Sequence, residues 1–170
     1  LLRDLKIDSN TIIVYTSDNG PSKESYLPND KEQPNKPTFF SSYGPFEGIK
    51  GDTWEGGVHL PAIVWGPRYF KKGSTLSVPA IAYDWASTFI DLAGGMPPAR
   101  MDGISLLPFL TGKTKEYSRS IYIEYSNEES TPDYPEFLKR RRGRVRNNMQ
   151  WLRVGDYVGV RYDIKSAADD

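Results

Sequence analysis

Six consecutive residues, Thr11-Ile12-Ile13-Val14-Tyr15-Thr16, form a β-branched and aromatic run with no polar alternation. A strand of that composition suits a sheet covered on both faces. Before it, Leu1-Leu2-Arg3-Asp4-Leu5-Lys6 reads as the tail of an amphipathic helix, and Lys6 to Asn10 as a polar turn. Helix, short turn and buried strand in succession are the rhythm of an α/β fold. Leu60-Pro61-Ala62-Ile63-Val64-Trp65 reads as a further strand, stopped by Gly66-Pro67. Asp84 can cap a helix that runs through Ala93. Its Ala86, Phe89, Ile90 and Ala93 share one face at helical spacing, and Gly94-Gly95 supplies the stop. Asp102-Gly103 turns into a short helix from Ser105 to Leu110.

The character changes after Gly112. Ile121 to Tyr125 is a strand candidate. Trp151–Val154 and Tyr157–Tyr162 flank Gly155-Asp156, a hairpin signature in which Gly at the first turn position suits a type II′ turn. Residues 1–112 thus read as an α/β part, and residues 113–170 as the start of a small antiparallel α+β subdomain packed on it. The first residue is Leu1 and the last four are Ala167-Ala168-Asp169-Asp170, so the sequence reads as a piece of a longer protein. A missing signal peptide is then uninformative.

Composition narrows the partners. Lys and Arg number 22 and Asp and Glu 22, so the chain lacks the overall positive field of a general nucleic-acid binder. It has no cysteine, which excludes disulfides, thiolate nucleophiles and thiolate zinc sites within these 170 residues. No apolar stretch approaches the roughly 18 residues of a membrane helix.

Four places could carry chemistry. Ser17-Asp18-Asn19-Gly20-Pro21 follows the first strand directly, and ligands of open α/β sheets bind at the carboxyl ends of strands. Asp18 and Asn19 offer hard oxygen donors suited to Ca²⁺ or Mg²⁺. The same residues are also ordinary turn formers. Lys50 lies in a glycine-rich stretch, Gly44 to Gly57, and there it can oppose an anion as a point charge or simply be solvated. His59 is the sole histidine, but its place between Val58 and Leu60 reads as structural and hydrogen-bonded. Residues 139–146, Lys-Arg-Arg-Arg-Gly-Arg-Val-Arg, form a basic patch able to hold a polyanion, or a solvated loop. No aromatic RNA-binding pattern or zinc-finger spacing accompanies it, so nucleic acid is not an expected partner. The polar, proline-bearing loop of residues 21–42 is about twice the usual connection length, which marks it as functional or disordered.

In order along the chain these pieces resemble the C-terminal portion of a sulfatase of the arylsulfatase type, within the alkaline phosphatase-like superfamily. Thr11 to Pro21 resembles the family's strand and metal-ligand turn. Gly48-Ile49-Lys50-Gly51-Asp52-Thr53-Trp54-Glu55-Gly56-Gly57-Val58-His59-Leu60-Pro61 resembles its second signature stretch. Asp84–Gly94 and Asp102–Gly112 resemble two further helices, and Arg153-Val154-Gly155-Asp156-Tyr157 the hairpin of the small C-terminal domain.

The resemblance implies an alkaline phosphatase-like α/β sandwich, of which this is the C-terminal part. It implies Asp18 and Asn19 as two ligands of a Ca²⁺ ion (Mg²⁺ is the alternative), and Lys50 as a contact to the sulfate ester. It implies no catalytic role for His59. It also implies a formylglycine made from Cys or Ser in a Cys/Ser-x-Pro-x-Arg motif. No such motif is present here, Ser118-Arg119-Ser120 being the wrong pattern, so the nucleophile is expected upstream and this chain alone is expected to be inactive. The implied substrate is a sulfate ester of a sulfated glycan, which residues 21–42 and the arginine run would help to line. The implied compartment is periplasmic, extracellular or lysosomal. Apolar strands without their neighbours would favour self-association or binding to the missing N-terminal part. A phosphomonoester or phosphonate hydrolase of the same superfamily and a non-catalytic polyanion-binding module are the competing readings.

Overall fold

The computed structural model describes residues 1–24 and 36–166. Half of the loop expected over residues 21–42, residues 25–35, and the last four residues lie outside them. The elements run β1 (Ile13–Thr16), α1 (Glu55–Val58), β2 (Ala62–Trp65), α2 (Asp84–Leu92), α3 (Leu107–Leu110), β3 (Ile121–Ser130), β4 (Val145–Val154) and β5 (Tyr157–Arg161), with a 3₁₀ turn at Asp8–Asn10 before β1. By compactness the chain divides into Leu1–Tyr15 with Ala62–Ser118, and Thr16–Pro61 with Arg119–Asp170. The segment after residue 118 therefore shares its compact unit with residues 16–61.

In the first unit β1 and β2 are neighbours in a two-stranded sheet. The opening residues make a single hydrogen-bonded turn. Leu5 N–H donates to the Leu1 carbonyl, Lys6 N–H to Arg3 and Ile7 N–H to Leu2, with Lys6 at φ +56°. That pairing around a left-handed residue is a Schellman closure. The same closure ends α2, where Gly94 sits at φ +77° and Gly95 N–H reaches the Ile90 carbonyl.

Two expectations about burial are reversed. β1 is not covered on both faces: Ile13 is 43% and Tyr15 67% exposed, as is Ile63 of β2 at 63%. A pair of strands gives each only one neighbour, and among the described residues no element covers the exposed side chains. Helix α2 likewise turns its polar stripe inward. Asp84, Ser87 and Thr88 are fully buried, while Ala86 and Ala93 are exposed and Phe89 is 48% exposed. Asp84 does not cap the helix. Its carboxylate accepts the backbone N–H groups of Ile81 (2.9 Å) and Ile104 (3.0 Å). Ser87 donates to the Gly103 carbonyl, Thr88 Oγ1 accepts Leu106 N–H, and Ser105 donates to Asp91. These bonds lash segment 103–106 along α2 and satisfy backbone groups that burial would otherwise orphan.

In the second unit β3, β4 and β5 form an antiparallel meander. Val154 pairs with Tyr157 across Gly155-Asp156, and Gly155 alone of the two has positive φ (+58°), as a type II′ turn requires. Ile121, Met149 and Trp151 are buried on one face. The register slips between Asn127 and Ser130, so that Glu128 and Glu129 lie opposite Arg146, and Asn147 takes φ +41°. This bulge breaks the alternation of β4 and buries Arg146 on a strand whose other buried residues, Met149 and Trp151, have odd numbers. A separate aromatic cluster joins Tyr43, Ile49 and Phe137, with Tyr134 packed against it.

Candidate active site

The turn after β1 and the glycine-rich stretch are joined by backbone bonds. Gly20 N–H donates to the Gly57 carbonyl and Lys50 N–H to the Pro21 carbonyl, each at 2.9 Å. Gly20 has no room for a side chain, since a Cβ there would lie 2.1 Å from the Gly56 carbonyl oxygen. The result is one cleft of about 420 Å³ that is lined by Asp18, Asn19, Lys50 and His59, among others. The three residues expected from the sequence to meet at a site thus line a common surface.

Their individual settings differ. Ser17 Oγ donates to the Asn19 carbonyl (3.0 Å) and closes the turn. Asn19 Nδ2 donates to Asp18 Oδ1, while Asn19 Oδ1 is buried with no hydrogen-bond partner. A buried acceptor without a donor is costly, about 1–3 kcal/mol, and a hard cation is a partner of the right kind. Two oxygens from Asp18 and Asn19 fit such an ion in chemistry but not in number, since Ca²⁺ takes about 6–8. Among the described residues no group of three or more His, Cys, Asp or Glu is placed to hold a metal.

Lys50 Nζ pairs with Glu24 Oε2 at 3.0 Å, both side chains being part-exposed. Glu24 is held by its own N–H donating to Ser22 Oγ. His59 has the structural, hydrogen-bonded role expected: its Nδ1 is 3.0 Å from Glu55 Oε2 and its ring stacks on Phe46 with centroids 4.5 Å apart. Its place on the cleft wall is additional.

The arginine run is largely consumed inside the fold. Arg141 pairs with Glu47 and lies 3.9 Å over the Trp54 ring. Arg142 donates to the carbonyls of Phe137 and Pro135. Arg146 is wholly buried beside Asp52, with Nε 3.3 Å from Oδ1. Lys139, Arg140 and Arg144 stay exposed. A charge run reads as a patch in sequence, but here the register slip opposite Arg146 and the facing Glu47 and Asp52 take half of it inward.

Asp52 is the buried carboxylate beside Lys50 that sequence reasoning passed over. Its Oδ1 accepts Thr131 Oγ1 (2.6 Å) and the Tyr162 hydroxyl (2.9 Å), and its Oδ2 accepts Ile49 N–H (3.2 Å). Burial first, and then the Asp52 carboxylate, push the Tyr162 phenol far above its ordinary value of 10.0. An acid whose folded value is raised keeps its proton in the native state while the unfolded chain releases it. Stability is therefore intact below pH 10 and falls above it, by about 1.4 kcal/mol for each pH unit. Tyr162→Phe should abolish that alkaline slope in urea melts between pH 9 and 11, at the cost of one buried hydrogen bond.

Solved structures that this chain resembles share the alkaline phosphatase-like fold. The PsFucS1 sulfatase from Pseudoalteromonas sp. matches with TM-score 0.60 and 26% identity, over 92% of this chain and 26% of that one. The protein BT4656, solved in complex with its substrate D-glucosamine-2-N,6-O-disulfate, matches with TM-score 0.60 and 24% identity, over 96% of this chain and 28% of that one, a likeness of fold alone. The phosphonate monoester hydrolase from Silicibacter pomeroyi matches with TM-score 0.55 and 22% identity, over 95% and 28% of the two chains, a likeness of fold alone. The Sulfatase family description matches residues 1–96, and that of the N-sulphoglucosamine sulphohydrolase C-terminal region matches residues 50–143. The chain belongs to the sulfatase family.

Among curated relatives, N-acetylgalactosamine-6-sulfatase of Sus scrofa is 39% identical over 68% of this chain, and human steryl-sulfatase 31% identical over 75%. The chain spans about a fifth of the length of either relative, 21% in both cases.

Proposed function

We propose that this chain is the C-terminal segment of a calcium-dependent sulfuric ester hydrolase acting on sulfated carbohydrate. The observation that carries the reading is that Asp18, Asn19 and Lys50 line one cleft. The sugar named for the 39%-identical relative supports a carbohydrate ester, as does the disulfated glucosamine held by one structural neighbour.

The chemistry asks for what the cleft offers. Hydrolysis of R–O–SO₃⁻ by water gives R–OH, sulfate and a proton, and the leaving oxygen gains negative charge as the S–O bond breaks. Asp18 and Asn19 would hold a divalent cation, which when bound polarises the ester. Lys50 holds positive charge against the sulfate oxygens, where it counts for more as water is excluded. The Glu24 carboxylate occupies Lys50 and must yield it to an incoming anion. The nucleophile, a formylglycine, and the remaining ligands belong to sequence upstream of Leu1. The exposed faces of β1, β2 and α2 are apolar surface that such sequence would cover, and that would promote self-association in the isolated chain. Export to the periplasm, cell exterior or lysosome goes with the same reading. No helix among the described residues is long and apolar enough to cross a membrane.

The test compares the 170-residue chain with the full-length protein on a sulfated monosaccharide, an aryl sulfate and a phosphonate monoester. The expected result is sulfate release by the longer protein only. Turnover by the 170-residue chain, or preference of the longer one for the phosphonate ester, would overturn the reading.

A further inference from the structure

The peptide units around Lys50 are fastened from behind by Asp52 of the same stretch and by Arg146 of the C-terminal meander. Ile49 N–H is held by Asp52 Oδ2 at 3.2 Å, and the Lys50 carbonyl lies 3.5 Å from Arg146 Nη1. Arg146 is anchored in turn by Nη2 donating to the Ser130 carbonyl (2.9 Å), by Asp52 at 3.3 Å and by Glu129 at 3.6 Å. Both members of the Asp52–Arg146 pair have side chains with 0% exposure. Thr131 and Tyr162 complete the shell on Asp52 Oδ1. On the opposite side Lys50 N–H is held by Pro21, which belongs to the turn that carries Asp18 and Asn19. The fit is close: a Cβ at Gly51, which has φ +88°, would lie 2.5 Å from Arg146 Nη1 and from Asn127 Nδ2.

A buried ion pair is weak evidence for stability, because desolvating two charges offsets most of their attraction. What it does impose is a single arrangement of the groups it bonds, and here those groups flank the one lysine on the cleft. We propose that Arg146 and Asp52 are positioning residues for Lys50, so that the C-terminal meander sets where the sulfate-binding ammonium stands. The inference rests on the reading of Lys50 as the sulfate contact. Arg146 touches no substrate; it acts through the backbone of Lys50. Arginine is needed because its planar fork faces four acceptors at once, the Lys50 and Ser130 carbonyls, Asp52 and Glu129, one more than a lysine ammonium has N–H groups, and it reaches them in fixed directions.

The experiment is a double-mutant cycle in the full-length protein, read as kcat/KM for an aryl sulfate per mole of folded enzyme, with the folded fraction measured by near-ultraviolet circular dichroism. Arg146→Lys should lower kcat/KM by about 10–100-fold, the scale on which a misplacement near 1 Å acts. In the Lys50→Ala background the same change should cost nothing further, because the residue it positions is gone. Tyr162→Phe removes one donor to Asp52 and leaves the ring in place. It should cost a few-fold in the parent and nothing beside Lys50→Ala, and it decides the matter if Arg146→Lys fails to fold. Losses that multiply in the double variants would overturn positioning while leaving the sulfate contact intact. A Lys50→Ala variant as active as the parent would overturn the sulfate contact itself, and the proposal with it.

Discussion

Lys50→Ala in the full-length protein is expected to lower kcat/KM for a sulfate monoester by about 10²–10³, the usual loss on removing one preorganised group that stabilises developing negative charge. The lysine side chain emerges from a backbone pinned on both sides, by Pro21 at its N–H and by Arg146 at its carbonyl, so the root of the side chain is fixed relative to the cleft. Lys50→Arg should restore less than a tenth of the activity. A guanidinium is longer and planar, and it would bring a fork where a compact charge fits. The partner carboxylate makes an opposite prediction. Glu24 and Lys50 are 47% and 39% exposed, and a pair so wetted is worth about 0–1 kcal/mol. Glu24→Gln should therefore lower KM by at most about five-fold and leave kcat unchanged. Steady-state kinetics on the two variants checks both signs. A Glu24→Gln enzyme with raised KM would mean that the carboxylate holds substrate instead of competing with it.

How much of this was legible in the sequence depends on the range of the interaction. Strands β1 and β2, helix α2 with its glycine stop, and the Gly155-Asp156 hairpin follow from local pattern, and they stand where the pattern put them. The faces they bury do not follow. Periodicity at Ala86, Phe89, Ile90 and Ala93 marks a stripe that would gain from burial; which surface lies against it depends on residues elsewhere. Within this chain the partner of α2 is the loop at 103–106, whose backbone needs the polar stripe of Asp84, Ser87 and Thr88. The arginine run shows the same limit. A bulge opposite Glu128 and Glu129 turns Arg146 inward, and no composition or charge count at residues 139–146 registers a slip in β3. Asp18, Asn19 and Lys50 were readable because they sit in short motifs with recognisable spacing. Their meeting depends on Gly20, whose missing Cβ lets two loops touch. Asp52 was written in the same motif as Lys50, but its partners Thr131, Arg146 and Tyr162 are distant in sequence, and only tertiary structure joins them.

Asp18 and Asn19 are expected to respond to substitution in ways that separate a metal site from a tight turn. Asp18→Ala should weaken divalent-cation binding to the full-length protein by at least about 100-fold, since loss of a ligand outweighs the 10–100-fold typical of losing a group one shell further out. The sharper test is Asn19→Ala. Asn19 Oδ1 is buried without a partner, so in metal-free protein its removal should be neutral or stabilising by up to about 1–3 kcal/mol. If the oxygen is a ligand, the same variant must lose the extra stability that binding a cation gives the parent. Thermal melts of parent and variant, in chelator and in millimolar Ca²⁺, therefore should cross: the variant melts at or above the parent in chelator and below it in calcium. A turn-forming asparagine with no metal role predicts parallel curves. The Nδ2 bond to Asp18 is lost whichever reading holds, so for a purely structural Asn19 the substitution would change stability by the same amount in both conditions. Mg²⁺ in place of Ca²⁺ sorts the ion. An octahedral site that demands about 2.0–2.1 Å contacts would favour the smaller cation, and a looser cage of carboxylate and amide oxygens the larger.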